Sequence, residues 1–501
     1  MSTQSVANTS SNGWVVQKFG GTSVGKFPEK IATDIVRLLG VYNKLKGIAA
    51  ATSAENVQND LMNQAKGLIS DICNDHVSAV KTFLSQPELQ ASLEQEIRDE
   101  CQELVEYIVA ARRFNLEVNS RSKDRCISFG EKLSCRFMAA LLKDLVCIAS
   151  PAARHKWTLT DSQGVAAEYV DLSDAFHYDA TARLDHSFYQ EAAAVLRKKI
   201  TACEDRVPVV TGFFGNVPGS LIDGDIGRGY TDLCAALCAV GLKADELQVW
   251  KEVDGIFTAD PTKVPTARLL HSITPSEAAE LTFYGSEVIH HLTMDQVIHA
   301  SPPIPIRIKN VKNPRGVGTI VIPDPVLTAG HQIQRSKPVD PSLRQKPKRP
   351  TAVTIKDKIS VINVHSNKRS ISHGFFAKVF SILDSNQISV DLISTSEVHV
   401  SMAIHAGNSE GSSFDKARKE LEECGDVSVL HDMAILSLVG AEMKNMIGIA
   451  GRMFSTLGEH NVNLEMISQG ASEINISCVI EARDATRAMN ILHTNLFTFL
   501  D

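Results

Sequence analysis

The sequence predicts an α/β chain with a mainly parallel sheet, followed after a linker by two small α+β modules. Three observations carry this. Short β-branched segments alternate with amphipathic helical segments from Trp14 to Val311, and strands joined through crossover helices run parallel. A proline-rich, basic stretch from Pro323 to Pro350 then breaks the composition. Beyond it, one pattern of apolar residues recurs at a constant offset of 74 residues.

Taken in order, Met1 to Gly13 is uncharged and rich in Ser, Thr and Asn. It has neither the basic-then-apolar pattern of a secretion signal nor the Arg-rich helix of a transit peptide, and reads as a disordered tail. Trp14 to Phe19 reads as a short buried strand, and Gly20-Gly21-Thr22-Ser23-Val24-Gly25 follows at once. A helical pattern runs from about Pro28 to Leu39. Residues 56–113 are periodic, with acid and base mixed, as in solvent-facing helices. Ser128 to Lys143 reads as a compact apolar helix. Val207 to Phe214, Glu246 to Phe257 and Pro305 to Val311 read as strands rich in Val, Ile and aromatics.

The break at 323–350 holds six prolines and the basic cluster Arg344, Lys346, Lys348 and Arg349. A nucleic-acid or targeting patch is one reading, and a solvated linker is the stronger one. After it, Gly374 to Leu383 corresponds to Gly448 to Leu457, and Ile388 to Ser394 corresponds to Val462 to Ser468. Each copy reads strand, helix, strand, strand. The expected organisation is a domain at 14–322, a linker at 323–350 and modules at 351–430 and 431–498.

Composition excludes several classes. The 501 residues bury a full core without disulfides or metals, and 44% hydrophobic with 22% charged residues is ordinary for a soluble globular protein. With 51 basic and 58 acidic residues the net charge is −7, so neither a generally nucleic-acid-binding chain nor a polybasic membrane surface is expected. No apolar run approaches the ~18 residues of a membrane span. The ten cysteines form no CxxC pair and no zinc spacing with histidine. Buried, reduced thiols in a cytoplasmic protein are the expectation, with no metal ligands assigned.

Four clusters carry candidate chemistry. Gly20-Gly21-Thr22-Ser23 after a strand is a phosphate cradle or a plain turn. Glycine lets the backbone approach an anion, N–H groups supply positive potential, and Lys18 sits on the strand just before. Gly227-Arg228-Gly229-Tyr230-Thr231-Asp232 opens an apolar helix. Arg228 offers a planar fork for a carboxylate or phosphate, while Asp232 either caps the helix or points at phosphate or Mg²⁺. Trp250 to Pro261 ends a strand in a turn, where ligands bind in open α/β sheets, although Asp254 and Gly255 fit an ordinary turn. Glu131, placed at the start of an apolar helix, is by itself a partner for the helix dipole.

Together these clusters resemble the aspartokinase family. Lys18-Phe19-Gly20-Gly21-Thr22-Ser23-Val24-Gly25 is similar to its signature opening. The Gly-Glu-Lys-Leu-Ser element at 130–134, Gly-Arg-Gly-x-Thr-Asp at 227–232 and Val-Asp-Gly-Ile-Phe-Thr-Ala-Asp-Pro at 253–261 follow in family order. The repeat resembles tandem ACT domains, and the details look most like fungal members. The resemblance implies an amino-acid-kinase-type three-layer catalytic domain with ferredoxin-like ACT modules. It also implies transfer of the ATP γ-phosphoryl to the side-chain carboxylate of L-aspartate. On it, Lys18 contacts the transferring phosphate and Asp232 organises the transfer centre. Gly20, Gly21, Thr22 and Ser23 cradle phosphate oxygens. Arg228, with Gly229 and Thr231, holds an aspartate carboxylate, and Glu131 binds the substrate ammonium. Lys251, Asp254, Phe257 and Asp260 line the nucleotide site, with Mg²⁺ bridging the phosphates.

The resemblance further implies allosteric control through Phe375, Phe376, Ala377, Asp391, Thr395 and Ser396. Threonine is the first choice of effector and lysine the second. Asp391 is the natural partner for the effector ammonium, or else a strand-end carboxylate in a turn. ACT pairing implies a homodimer or homotetramer, and the chain end leaves no room for a fused homoserine dehydrogenase. Two departures stand out. A segment carrying a second buried strand is missing between Arg37 and Leu38, and a stretch near 145–163 is inserted; both fit a gene-model artefact. The missing strand keeps open a catalytically impaired amino-acid-binding regulatory form; another carboxylate or carbamate kinase of the superfamily is the runner-up among enzymes, and Glu131 with the 227–232 motif and the ACT pair argues against it. The pair His290-His291 suggests a metal only weakly, and satisfied histidines are the stronger reading.

Overall fold

The computed structural model describes residues 13–20, 41, 43–46, 48–49, 55–114, 116, 118–148, 166–176, 184–215, 217, 221–222, 226–283, 289–322, 349–366, 374–405, 412–470 and 474–498. The missing strand expected near 37–38, most of the stretch expected as an insertion, and nearly all of the linker lie outside these residues. The chain divides into two compact units, Met1–Val253 with His290–Gly316, and Asp254–Ile289 with Val317–Asp501.

The first unit opens with strand β1 (Val15–Phe19). Helices α1 (Glu55–Phe83), α2 (Pro87–Arg113) and α3 (Ser120–Ile148) follow. Ile69, Ile72, Leu93, Ile97, Leu104, Ile108, Leu133 and Phe137 recur at helical spacing and share one buried core. The turn between α1 and α2 is held from α3. Buried Asp144 accepts from Ser85 N at 2.8 Å and Gln86 N at 3.1 Å, while Pro87 starts α2 where no backbone donor is needed. Arg136 on α3 donates to Glu100 at 2.6 Å and Glu96 at 2.8 Å on α2.

The α3 helix corrects one expectation. It begins not at Ser128 but at Ser120, because Asn119 Oδ1 accepts from Ser122 N at 3.2 Å and Ser122 Oγ in turn accepts from Asn119 N at 3.4 Å. Glu131 therefore lies three turns inside the helix, where the dipole account fails.

Strands β2 (Ala167–Val170) and β3 (Val207–Val210) pair in parallel, joined through α4 (His186–Thr201). The strand expected to reach Phe214 stops at Val210. Thr211 turns the chain by donating to Phe213 O at 3.1 Å and accepting from Leu172 N at 3.0 Å. Helix α5 (Tyr230–Leu242) follows a single turn at Gly227–Gly229, and its Leu233, Cys234 and Leu237 pack with Phe188, Ala192 and Leu196 of α4. Strand β4 (Glu246–Lys251) pairs in parallel with β1, placing Lys18 beside Val249. It ends at Lys251 rather than Phe257, and the chain then bends through Glu252 to Gly255, which has φ +147°.

The chain enters the second unit at Asp254, forming β5 (Ser272–Ile273) and α6 (Pro275–Phe283). It returns to the first unit with α7 (His291–Ile298) and β6 (Ile306–Asn310), which pairs in parallel with β4. Back in the second unit, β7 (Thr319–Val321) pairs in parallel with β5.

The repeat is visible as structure. Its first copy is β8 (Ala352–Ser366), α8 (Phe375–Ser385), β9 (Leu392–Thr395), β10 (His399–His405) and α9 (Ser412–Glu422). The second is β11 (Gly425–Val439), α10 (Ile449–Glu459), β12 (Met466–Ser468), β13 (Asn475–Glu481) and α11 (Ala485–His493). Each copy thus carries a closing helix beyond the pattern read from sequence. Gly374 (φ +89°) and Gly448 (φ +81°) precede the equivalent helices in the left-handed region with open space around a Cβ, so backbone conformation alone requires glycine.

All six strands form one sheet in the order β12-β13-β11-β8-β10-β9, with β8 and β11 antiparallel along their lengths. Each long strand serves both copies. Ile362 and Val364 of β8 pack in the core of the first, and Val353 and Ile355 in that of the second. On β11, Val427 and Val429 pack with the first, and Leu436 and Leu438 with the second. The module junction expected at 430/431 falls inside β11.

The segment after Asp254 docks on the second copy. Thr258 O accepts from Val353 N at 2.8 Å, and Ala259 and Val264 join its core. His493 is fully buried between hydroxyls, Thr258 Oγ1 at 2.9 Å and Thr266 Oγ1 at 3.1 Å, and its ring stacks on Phe497 at 5.0 Å. Burial, aided by Arg268, lowers its pKa, so the folded state holds His493 neutral. Its contribution to stability is complete above the unfolded value of about 6.5 and is lost as pH falls through the folded pKa. Denaturant titration of His493→Ala should show about 2–3 kcal/mol less stability near neutral pH, and a shallower loss on acidification than the parent.

Candidate active site

Strand β1 aims Lys18 by alternation. Val16, on the same face, packs against the apolar core beneath, which leaves Lys18 near the strand end. Its ammonium forms a close ion pair with Asp232 in the first turn of α5, with side chains 14% and 11% exposed. The α5 N-cap is Gly229 and has no side-chain capping bond, so Asp232 serves Lys18 rather than the cap.

Glu131 is gripped by neutral donors. Oε2 accepts from Phe213 N at 2.6 Å, Gly212 N adds a bond, and Tyr230 Oη donates to Oε1. Burial raises the Glu131 pKa, while these donors and the nearby Lys18 charge oppose the rise. A Cβ on Gly212 would come within 2.7 Å of Thr231 Cγ2 and 3.0 Å of Glu131 Oε2, so only glycine lets the loop after β3 approach the carboxylate. Lys18, Glu131, Thr231 and Asp232 thus gather around one cluster at the ends of β1 and β3. A Cβ on Gly229 would lie 2.3 Å from the His290 ring, which packs against the same turn.

Other expected residues are placed differently. Gly20 directly follows β1, and Gly21, Thr22 and Ser23 lie outside the described residues. Arg228 is described only in its backbone, within the turn at Gly227–Gly229. The run expected to line the nucleotide site is divided between the units: Lys251 ends β4 in the first, and Asp254, Phe257 and Asp260 belong to the second. Phe257 bridges to Leu269, and Asp260 Oδ1 closes its own turn by accepting from Thr262 N at 2.9 Å and Thr262 Oγ1 at 2.6 Å.

In the second unit, Phe376 and Ala377 are exposed in the first turn of α8, beside buried Phe375, and Thr395 and Ser396 are exposed at the end of β9. Asp391, just before β9, is not a plain turn carboxylate. Oδ1 accepts from Lys356 Nζ at 2.8 Å, while Oδ2 is buried and takes no hydrogen bond among the described residues.

Comparison with known proteins gives matches over nearly the whole chain. The amino acid kinase family matches residues 13–310, and the ACT domain matches 436–496. The aspartokinase of Schizosaccharomyces pombe is 49% identical, with 98% of this chain and 94% of that protein covered. This chain belongs to the aspartokinase family. Aspartate kinase FUB3 of Gibberella moniliformis is 53% identical over 97% of this chain and 98% of its own length. In both cases the aligned stretch, 516 and 518 positions, exceeds the 501 residues of this aspartokinase, so part of each relative has no counterpart here. Among solved structures, Clostridium acetobutylicum aspartate kinase superposes with a TM-score of 0.65 at 21% identity, covering 96% of this chain and all of that one. Escherichia coli aspartokinase III in complex with lysine and aspartate gives 0.66 at 24%, covering 96% and 99%. These likenesses show the fold.

Sequence reasoning missed Gly212, Phe213 and Tyr230 around Glu131. The Thr-Gly pair closing β3 was a signal for a tight approach, and Tyr230 was left as the variable position of the 227–232 motif. In this aspartokinase, Gly212→Ala should push the loop from Glu131 and cost about 1–3 kcal/mol in a denaturant titration.

Proposed function

We propose that the chain transfers the γ-phosphoryl of ATP to the side-chain carboxylate of L-aspartate, giving 4-phospho-L-aspartate under amino-acid feedback. The observation that carries this reading is the Lys18–Asp232 pair beside a carboxylate held only by neutral donors. Two polyanions must meet for this reaction, so the protein's work is positioning and charge neutralisation. Lys18 is placed to neutralise charge on the transferring phosphate, and Asp232 holds that ammonium in line. Glu131 is assigned to the substrate ammonium: its bonded donors are all neutral, so when it is ionised none of them cancels the charge the ammonium needs. Arg228 and Gly229, with Thr231, are assigned to the α-carboxylate. Gly20, Gly21, Thr22 and Ser23 are assigned to phosphate oxygens, and Lys251, Asp254, Phe257 and Asp260 to the nucleotide.

Mg²⁺ enters with ATP as part of the nucleotide substrate. A single carboxylate such as Asp232, with substrate phosphates, fits the ligand set this ion takes. Escherichia coli aspartokinase III has been solved with aspartate and ADP, which supports the same substrates here. The effector is assigned to the first ACT copy, threonine before lysine, through Asp391. The buried, unbonded Oδ2 supports a second ammonium joining that of Lys356. Edge strand β9 supports assembly into a homodimer or homotetramer through the ACT modules. No described helix is long and apolar enough to cross a membrane, and a cytoplasmic site of action is proposed.

The test is ATP- and Mg²⁺-dependent formation of aspartyl phosphate, trapped with hydroxylamine, with and without threonine or lysine. Turnover supports the kinase. Effector binding by folded protein without turnover favours the regulatory alternative, which the unmatched part of the relatives' sequence keeps open. Lys18→Ala should lower kcat by about 10²–10³-fold. Arg228→Ala should raise KM for aspartate far more than KM for ATP, and equal losses would count against its assignment.

A further inference from the structure

Tyr230 occupies the variable position of the 227–232 motif, where no chemical role was assigned. Its ring is 7% exposed and packs in the core with Phe213, Phe214, Ile226 and Leu233, so its direction is fixed. Its hydroxyl meets Glu131 Oε1, the oxygen opposite the one that Phe213 N holds. A carboxylate has about four lone-pair sites, and the phenol takes one on Oε1 while leaving a second for an incoming donor. The donor is neutral. A Lys or Arg in its place would cancel the charge that an ammonium needs. Burial and the neighbouring Glu131 raise the Tyr230 pKa, so the hydroxyl keeps its proton and donates.

We propose that Tyr230 is a positioning residue for the substrate amino group, its hydroxyl setting Glu131 Oε1 in the orientation that receives the ammonium. This rests on the reading of Glu131 as the ammonium site of an aspartate kinase. The phenol has a second effect. It donates more strongly to the ionised carboxylate than to the protonated acid, and so opposes the rise in the Glu131 pKa that burial causes.

The test is Tyr230→Phe in the full chain, which keeps the ring and its packing. KM for aspartate should rise about tenfold, with kcat and KM for ATP within about twofold of the parent and the melting temperature unchanged. The acid limb of kcat/KM for aspartate should move to higher pH, because Glu131 loses a donor that favours its ionised form. Equal losses for both substrates, or an unmoved acid limb, would overturn the proposal and leave Tyr230 a packing residue. Infrared difference spectra give a readout that needs no turnover. The carboxylate band that Glu131→Gln removes should titrate at higher pH in Tyr230→Phe than in the parent, and an unshifted band would sink the assignment. A parent enzyme that makes no aspartyl phosphate would overturn the kinase reading instead, while the band still decides whether the hydroxyl governs Glu131.

Discussion

The candidate site depends on one electrostatic constraint: an ammonium and two carboxyl groups are brought together where little water reaches them. Lys18 and Asp232 meet this by pairing, one from a strand end and the other from the first turn of the following helix layer. Glu131 is held differently, by amides and a phenol that oppose the rise in its pKa caused by burial. The surrounding fold serves these requirements. The parallel register of β1 with β4 fixes Lys18, the early start of α3 sets Glu131 well inside a rigid helix, and Thr211 stops β3 so that Gly212 and Phe213 present their N–H groups.

Different parts of this arrangement were legible to different degrees. Lys18, Glu131 and Asp232 were readable because their motifs are local, and the alternation within β1 already aims Lys18 at a sheet end. The neighbours of Glu131 were not. They come from residues 82 and 99 positions away, and no local pattern records which loop closes on which helix. Element ends were misjudged for related reasons. Apolar periodicity marked α3 only from Ser128, whereas its true start is set by the polar Asn119–Ser122 exchange. The strands at 207 and 246 ran long in the reading because β-branched and aromatic residues continue past Val210 and Lys251, where the Thr211 hydroxyl bond turns one strand and a bend through Gly255 follows the other.

The duplication was read correctly in register, since its helices and edge strands repeat at the 74-residue offset found in sequence. What sequence could not convey is that the two copies exchange strand halves. A 15-residue strand looks like one element in one module, and only its pairing shows that its two ends face different cores. The segment from Thr258 to Arg268 belongs to the same lesson. Its motif pointed to a nucleotide, yet in the second unit a hydroxyl of Thr258, its carbonyl and the Arg268 guanidinium are structural partners of His493, Val353 and Phe497.

The shared strands have an evolutionary consequence. Duplicated domains usually diverge as independent pieces that recombination can swap between genes. Here any exchange with a break near residue 430 would cut β11 in half and leave each core short of residues from the other copy's strand. Substitutions in β8 and β11 are therefore filtered by two cores at once. The pair is inherited as a single heritable block, and one copy can specialise only through its helices, loops and outer strands.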